Sequence, residues 1–393
     1  MVILFAIIAV VTAVYTLYII VLHDGIKVID TYIPNAENPK TCFSILIPFR
    51  NEAENIVALL DSIAQQEYPK DFFEIIVIND ASTDESVPLI KQFIQEQAEL
   101  SIQLIENNRK TASPKKDALV TAIALAKYDW ILCADADCIA TLQWLATLDG
   151  FIQEQQEPHM IVGPVMLVRT QEKVSFFDRI RLEFELLDIL SLQAATLGAF
   201  GTGKPVLNNG ANLAFTKFGF HTVNGYVGND HLASGDDHFL LEKFVQWRPE
   251  KVHYLKARTA IITTYPEHSW AALFKQRKRW AAKTIAFKNR RAKALAAIIF
   301  IENLLLVIAT ISSILYTFFI YYDSYTLLFL LCFWLFKIVV DRLLLRRMGN
   351  FLSVYIPLHR YLLSACIYPW FSVLIAIRAL CGGYHWKGRH FKR

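Results

Sequence analysis

Residues 1–22 contain no charged side chain, and a run of that length constrains the fold strongly. A helix rises about 1.5 Å per residue, so roughly 20 apolar residues cross the hydrocarbon core of a bilayer. No Lys or Arg precedes the run, which is also longer than the apolar core of a cleaved signal peptide. The pattern is that of a retained membrane anchor.

Three more apolar stretches follow near the C-terminus. Residues 294–320 are broken only by Glu302 and Asn303, and 326–345 carries Lys337, Asp341 and Arg342 toward one end. Residues 351–380 contain Pro357, His359, Arg360 and Pro369. That last stretch reads as one kinked span, or as an interfacial helix followed by a shorter or re-entrant piece. Together these runs lift the hydrophobic fraction to 54% and hold the charged fraction at 19%, outside the usual soluble range.

Between Glu267 and Glu302 there is no acidic residue, but Lys275, Arg277, Lys278, Arg279, Lys283, Lys288, Arg290, Arg291 and Lys293 are present. Basic residues flanking a span mark its cytoplasmic side. The expectation is a multi-pass protein of the cell (inner) membrane with a cytoplasmic domain and the N-terminus outside. The net charge of +4 owes much to this stretch, so it argues for a membrane surface and not for nucleic acid. An odd number of spans after the domain would put the basic tail outside, against the charge rule; a re-entrant 351–380 segment would resolve this. Cysteines 42, 133, 138, 332, 366 and 381 form no C-x-x-C pair and read as reduced, space-filling thiols. The organisation expected is an anchor at 1–22, a linker at 23–40, a catalytic domain at 41–283, a basic juxtamembrane segment at 284–293, membrane helices at 294–385 and a basic tail at 386–393.

Within the domain, apolar β-rich runs alternate with helical patterns. Strands are expected at 43–49, 74–78, 102–105 and 130–134, and helices at 53–66, 85–98 and 115–127. The strands are continuously apolar, so the sheet should be mostly parallel and covered on both faces, a Rossmann-like α/β fold. Ligands then bind at the C-terminal strand edge.

That edge carries the chemistry. Asp135-Ala136-Asp137 leaves the run Trp130–Ala134, and one or two carboxylates plus substrate phosphates satisfy Mg²⁺ or Mn²⁺. An isolated D-x-D triplet is as readily a solvated turn. Asp80, after the second strand, is placed to accept hydrogen bonds from a base or ribose, while Asp84 suits a helix cap. Arg50-Asn51-Glu52 occupies the equivalent place after the first strand, and Pro114-Lys115-Lys116-Asp117 opens a helix whose N-terminus and lysines can meet phosphate. Ser234-Gly235-Asp236-Asp237-His238 is a second acidic site, where adjacent carboxylates suit a general base. On a helix Gln276, Arg279 and Trp280 share one face, offering an arginine for a departing diphosphate and an indole for stacking on a sugar.

These motifs, in this order, resemble the membrane-bound family-2 glycosyltransferases, the group of cellulose, chitin and hyaluronan synthases and several lipid glycosyltransferases. Ile47-Pro48-Phe49-Arg50-Asn51-Glu52, Asn79–Asp84, Asp135-Ala136-Asp137, Asn209-Gly210-Ala211-Asn212, Gly235-Asp236-Asp237, Gln276–Trp280 and Trp386-Lys387-Gly388-Arg389 carry the likeness. It implies a GT-A fold and inverting transfer from a nucleotide sugar, with a preference for UDP. It also implies that Glu52 and Asp80 contact the nucleotide, Lys116 lies near the diphosphate, Asp135 and Asp137 hold the metal–diphosphate, and Asp237, beside Asp236, is the base. Gln276, Arg279 and Trp280 would close the site. Asp236 stands where the family often has Glu, and Pro114 where it often has Gly. The acceptor expected is a membrane-associated lipid or lipid-linked molecule; a processive polysaccharide synthase is the alternative, and a non-catalytic nucleotide-binding scaffold or a transporter are more distant ones.

Overall fold

The computed structural model describes all residues except 1, 36–37, 169–173, 231, 233, 285, 320–323, 381, 388 and 392–393. Cys381, Gly388 of the tail motif and the ends of the 1–22 and 386–393 segments lie outside the described residues.

The N-terminal run folds as α1 (Val2–Val28), one and a half turns longer than its uncharged portion. There follow β1 (Phe43–Phe49), α2 (Ile56–Ala64), β2 (Phe73–Asn79), α3 (Ser86–Glu96), β3 (Ile102–Glu106), α4 (Pro114–Leu125) and β4 (Trp130–Cys133). Helix α2 buries Ile56, Leu59, Leu60 and Ile63, the stripe set by 3.6-residue periodicity. The chain continues through β5 (Cys138–Ala140), α5 (Trp144–Glu154), β6 (Met160–Val162), β7 (Val165–Leu167), α6 (Phe176–Gly201), β8 (Leu213–Thr216), α7 (Lys217–Thr222), α8 (Asp236–Trp247), β9 (Val252–Tyr254) and β10 (Ile262–Thr264). It ends with α9 (Trp270–Thr284), α10 (Arg290–Phe319), α11 (Ser324–Leu352), α12 (Leu358–Leu380), β11 (Tyr384–Trp386) and β12 (Arg389–Phe391).

The main sheet has seven strands in the order β3-β2-β1-β4-β8-β6-β9, and only β8 runs against the rest. A smaller sheet, β5-β10-β7, stands beside it, and β11 and β12 form a hairpin. Alternate strand residues serve two cores. Phe43, Ile45, Ile47, Ile75 and Val77 pack on one face; Leu46, Ile76, Ile78, Ile131 and Met160 pack on the other, as a period of two requires. The second core does not stop at the domain, because it continues into Tyr15, Ile19, Leu22 and Ile26 of α1 and Leu344, Leu345 and Met348 of α11.

Helix α6 joins the two regions. Among the described residues four helices are long and apolar enough to cross a membrane, α1, α6, α10 and α12; α11, which carries the 326–345 stretch expected as a span and holds Lys337, Asp341 and Arg342, is not one of them. Unlike the others α6 is largely buried, and it lies inside the stretch read as a soluble domain. It meets α1 backbone to backbone. A Cβ on Gly198 would lie 2.4 Å from the Leu22 carbonyl oxygen, and one on Gly25 2.1 Å from the Gly198 oxygen. Polar contacts bind the other long helices: Thr12 of α1 donates to Glu302 of α10 at 3.0 Å, and Tyr15 to Asp341 of α11 at 2.5 Å. Lys337 pairs with Asp341 one turn away, so these charges neutralise each other inside the bundle.

Replacing a mid-helix glycine by alanine ordinarily stabilises by about 0.5–1 kcal/mol. At Gly198 the added methyl meets a main-chain oxygen that no rotamer can move, and overpacking of this kind costs about 1–3 kcal/mol. Gly198→Ala is therefore expected to lower the thermal unfolding midpoint of the full chain in detergent; a raised midpoint would show that the helices do not touch this closely.

Candidate active site

The two turns at the ends of β1 and β2 are laced together. Asn51 and Ala81 adopt left-handed backbone, with φ of 52° and 55°, a conformation Asn tolerates better than most residues. Asn51 N–H donates to Ser82 Oγ at 3.1 Å, and Asn51 Oδ1 accepts from Thr83 N–H at 2.8 Å. Asp84 accepts from the N–H groups of Ala53 and Ser86, so it holds the turns in place. This leaves Glu52 and Asp80 facing the space above the sheet edge.

Both are engaged by cations. Asp80, 6% exposed, accepts from Arg109 Nε, Asn107 Nδ2 and Arg389 at 2.5, 2.8 and 2.5 Å. Lys387 donates to Glu52 at 2.5 Å, and Arg50 Nε donates to the Lys387 carbonyl at 3.1 Å. The C-terminal hairpin thus lies over the β1–β2 edge. Arg109 and Asn107 follow β3 as Asp80 follows β2, a positional signal that was legible in the sequence; the hairpin, more than 300 residues away in the chain, had none.

At the β4 edge Asp135 pairs with Lys115 Nζ at 2.7 Å, and the same ammonium reaches Asp236 Oδ2 at 3.2 Å. Lys115 joins the two acidic motifs. Its burial opposes its charge, but Asp135 and Asp236 outweigh that and hold its amine well above the usual range. Lys116, the lysine expected near a diphosphate, points elsewhere. It is 1% exposed and donates to the carbonyls of Asn229 and Leu232 at 2.6 and 2.8 Å. Burial lowers it to about 8, so it ties down the 229–232 loop while Lys115 faces the carboxylates. Successive residues on a helix are rotated by about 100°, and a Lys-Lys pair does not say which one looks inward.

Asp137 has no basic partner within ion-pair distance among the described residues. Burial, then Asp135 and Glu52, push its carboxyl up to about 6. No three His, Cys, Asp or Glu side chains gather closely enough to hold a metal ion among the described residues. The protein therefore offers one or two hard oxygen ligands, and Asp137 and Asp135 fit Mg²⁺ or Mn²⁺ only if a diphosphate supplies the rest.

Gly235, at φ 85°, turns the chain into α8, and a Cβ there would meet Phe239 at 2.8 Å. The turn delivers Asp237, which accepts from Gly210 N–H at 3.2 Å and His238 N–H at 2.7 Å, with Lys283 at 3.5 Å. Asn208 Nδ2 donates to the Asp237 carbonyl at 3.0 Å. Burial would raise the Asp237 carboxyl; Lys283, Lys115 and the His238 N–H outweigh it and hold it down at about 2. His238 and Glu242 bond at 3.2 Å, and Glu242 accepts from the N–H of Asn289 at 2.7 Å, tying α8 to the segment before α10.

Helix α9 runs along this side. Gln276, Arg279, Trp280 and Lys283 share a face, and Lys283, read from sequence as a juxtamembrane charge, is the residue that reaches Asp237. Between them Arg277, 6% exposed, pairs with Asp188 of α6 at 2.5 Å, stacks over Trp280 at 4.2 Å, and donates to Gln276. Gln276 and Trp280 are thus positioned by Arg277. Glu52, Asp80, Asp135, Asp137, Asp236 and Asp237 form one continuous acidic cleft, with the α9 face beside it.

Residues 44–197 match the glycosyl transferase family 2 model. The poly(ribitol-phosphate) beta-N-acetylglucosaminyltransferase TarS of Staphylococcus aureus is 28% identical over 120 residues, 30% of this chain and 20% of TarS. A PGL/p-HBAD biosynthesis glycosyltransferase of Mycobacterium bovis is 32% identical over 145 residues, 36% of this chain and 54% of that protein. The chain thus spans a fifth to about half the length of these relatives. Among solved structures, the mannosyltransferase PcManGT of Pyrobaculum calidifontis, in complex with GDP-Man and Mn²⁺, superposes with a TM-score of 0.59 at 17% identity, covering 93% of this chain and 99% of that one. That likeness establishes the fold as GT-A.

Protonation of Asp137 competes with a cation, so Mn²⁺-dependent binding of a nucleoside diphosphate should weaken as pH falls through about 6 and level off above it. Asp137→Asn should cost at least about tenfold in that affinity, one charge-assisted contact, and flatten the pH dependence. Titration calorimetry across pH checks both; an unchanged profile in the variant would remove Asp137 as the ligand. Residues 44–197 thus match a glycosyl transferase family 2 domain, carried on a GT-A fold.

Proposed function

We propose that this protein is a membrane-anchored inverting glycosyltransferase that moves a sugar from a nucleotide sugar, a UDP-sugar by preference, to a lipid or lipid-linked acceptor. The observation that carries the reading is the acidic cleft, in which Lys115 joins Asp135 after β4 to Asp236, and Lys387 and Arg389 of the C-terminal hairpin pair with Glu52 and Asp80 after β1 and β2. The cleft opens beside helices long enough to cross a bilayer, which supports an acceptor held at the membrane.

In this reading Glu52 and Asp80 receive the nucleoside. A Mg²⁺ or Mn²⁺ held by Asp137 with Asp135 would supply Lewis-acid neutralisation of the diphosphate. The acceptor oxygen attacks C1 of the sugar, the C1–O bond to the diphosphate breaks with its electron pair, and Asp237 takes the hydroxyl proton. Attack from the face opposite the leaving group inverts the anomeric centre. Asp237 is a weak base while Lys283 and Lys115 hold it down; a diphosphate that draws Lys115 away restores its proton affinity. Arg279 supplies a further cation for the leaving group, and Gln276 and Trp280 bound the sugar.

A second reading, processive polysaccharide synthesis, is favoured by the similarity to poly-beta-1,6-N-acetyl-D-glucosamine synthase of Staphylococcus epidermidis, 34% identical over 96 residues. The few long helices favour single transfer, because a polymer needs a conduit. Product length after incubation with radiolabelled donor separates the two.

Asp237→Asn keeps the shape of the site and removes the proton acceptor. Transfer should fall by about 10²-fold or more with donor affinity nearly unchanged. Transfer at the wild-type rate would remove Asp237 as the base.

A further inference from the structure

A second charged cavity lies far from the acidic cleft, where α1 and α11 end against the domain. It has a volume of about 280 Å³ and is lined by Ile26 of α1, Arg347, Asn350 and Phe351 of α11, and Lys256 and Arg258 of the β9–β10 connection. Two of its cations cap helices. Lys256 Nζ donates to the carbonyls of Ile26 and Ile29 at 2.9 and 2.6 Å, and Arg258 to those of Phe351 and Asn350 at 2.7 and 2.8 Å. Among the described residues Arg347 makes one side-chain hydrogen bond, to the ring of His23 at 3.5 Å.

All these acceptors are neutral. Among the described residues no carboxylate lies within ion-pair distance of Lys256, Arg258 or Arg347, although carboxylates pair most basic groups of the donor cleft. Burial lowers the Lys256 amine; Asp30 opposes that only in part, and Arg347 adds to it. Three cations therefore share a small cavity without a counter-ion. Ile26 and Phe351 give it an apolar side, and it sits at the end of α1, at the level of lipid head groups if that helix crosses the bilayer. Basic pockets between helix ends suit anionic lipid heads.

We propose that this cavity binds the phosphate head group of an anionic membrane lipid, clamped by Arg347, Arg258 and Lys256. The site rests on the membrane-anchored reading but not on the sugar-transfer chemistry. Arg347 is the residue to change, because it caps no helix. The full-length protein, purified in mild detergent from cells containing phosphatidylglycerol and phosphatidylethanolamine, is examined by native mass spectrometry, with and without excess inorganic phosphate. The wild type should retain phosphatidylglycerol in preference to phosphatidylethanolamine, and Arg347→Gln should retain about fivefold less, the share of one cation near an anionic lipid. Binding of UDP, measured in parallel, should be equal in both proteins; it establishes that the variant is folded and keeps this test separate from the donor site. Equal retention of phosphatidylglycerol by Arg347→Gln would overturn the proposal. So would complete displacement of lipid by inorganic phosphate with no preference for the anionic lipid, because the cavity would then be a site for free phosphate.

Discussion

The contact between α1 and α6 organises the molecule. Gly25 and Gly198 bring two helix backbones within the distance of a single missing methyl, a closeness that small residues allow and larger ones forbid. Helix α6 in turn carries Asp188, which fixes Arg277 and with it the Gln276–Trp280 face of α9. The anchor, the buried helix and the wall of the cleft form one packed unit. The position of the acidic site relative to α1 is therefore set by packing.

Electrostatics explains the state of the cleft. Six carboxylates in one space are unstable without positive charge, and the protein brings that charge from every direction: Arg109 from the β3 end, Lys115 from α4, Lys283 from α9, Lys387 and Arg389 from the C-terminal hairpin. Asp137 alone lacks such a partner among the described residues, and it is the one carboxyl of the cleft pushed up toward neutrality. The charge pattern is that of a site waiting for a cation at Asp137 and for anions on the lysines and arginines around it, the complement of a metal-bound diphosphate.

Much of this was legible in the sequence. The first four strands and three helices stand close to where apolar periodicity put them, because β1, β2 and most of β4 are buried and predominantly apolar. Glu52, Asp80, Asp135 and Asp137 were legible because each follows a strand. Helix α6 was not: Asp178, Glu183, Glu185 and Asp188 along it resemble a solvated surface, and only the fold supplies their partners, Arg181, Arg360 and Arg277. The choice between Lys115 and Lys116 was open for the same reason, since it depends on helix rotation against a distant loop. Contacts of high sequence separation, such as Lys387 with Glu52, leave no local trace.

The tail also bears on the course of the last helices. Lys387 and Arg389 bond to the cleft, and the Gly383 carbonyl accepts from Lys278 of α9, so the hairpin packs on the domain. Helix α10 starts beside Glu242 of the domain, and α11 ends on Arg258. Helix α12 then begins with Arg360 paired to Glu183, lays Phe371 against Phe184 and Trp270, and leads back to Gly383. Both its ends and its middle touch the domain, while Leu358, Leu362, Trp370, Leu374 and Ile377 face outward at helical spacing. Long and apolar enough to span, α12 is nonetheless fastened along its length to the domain, a contact that composition alone does not reveal.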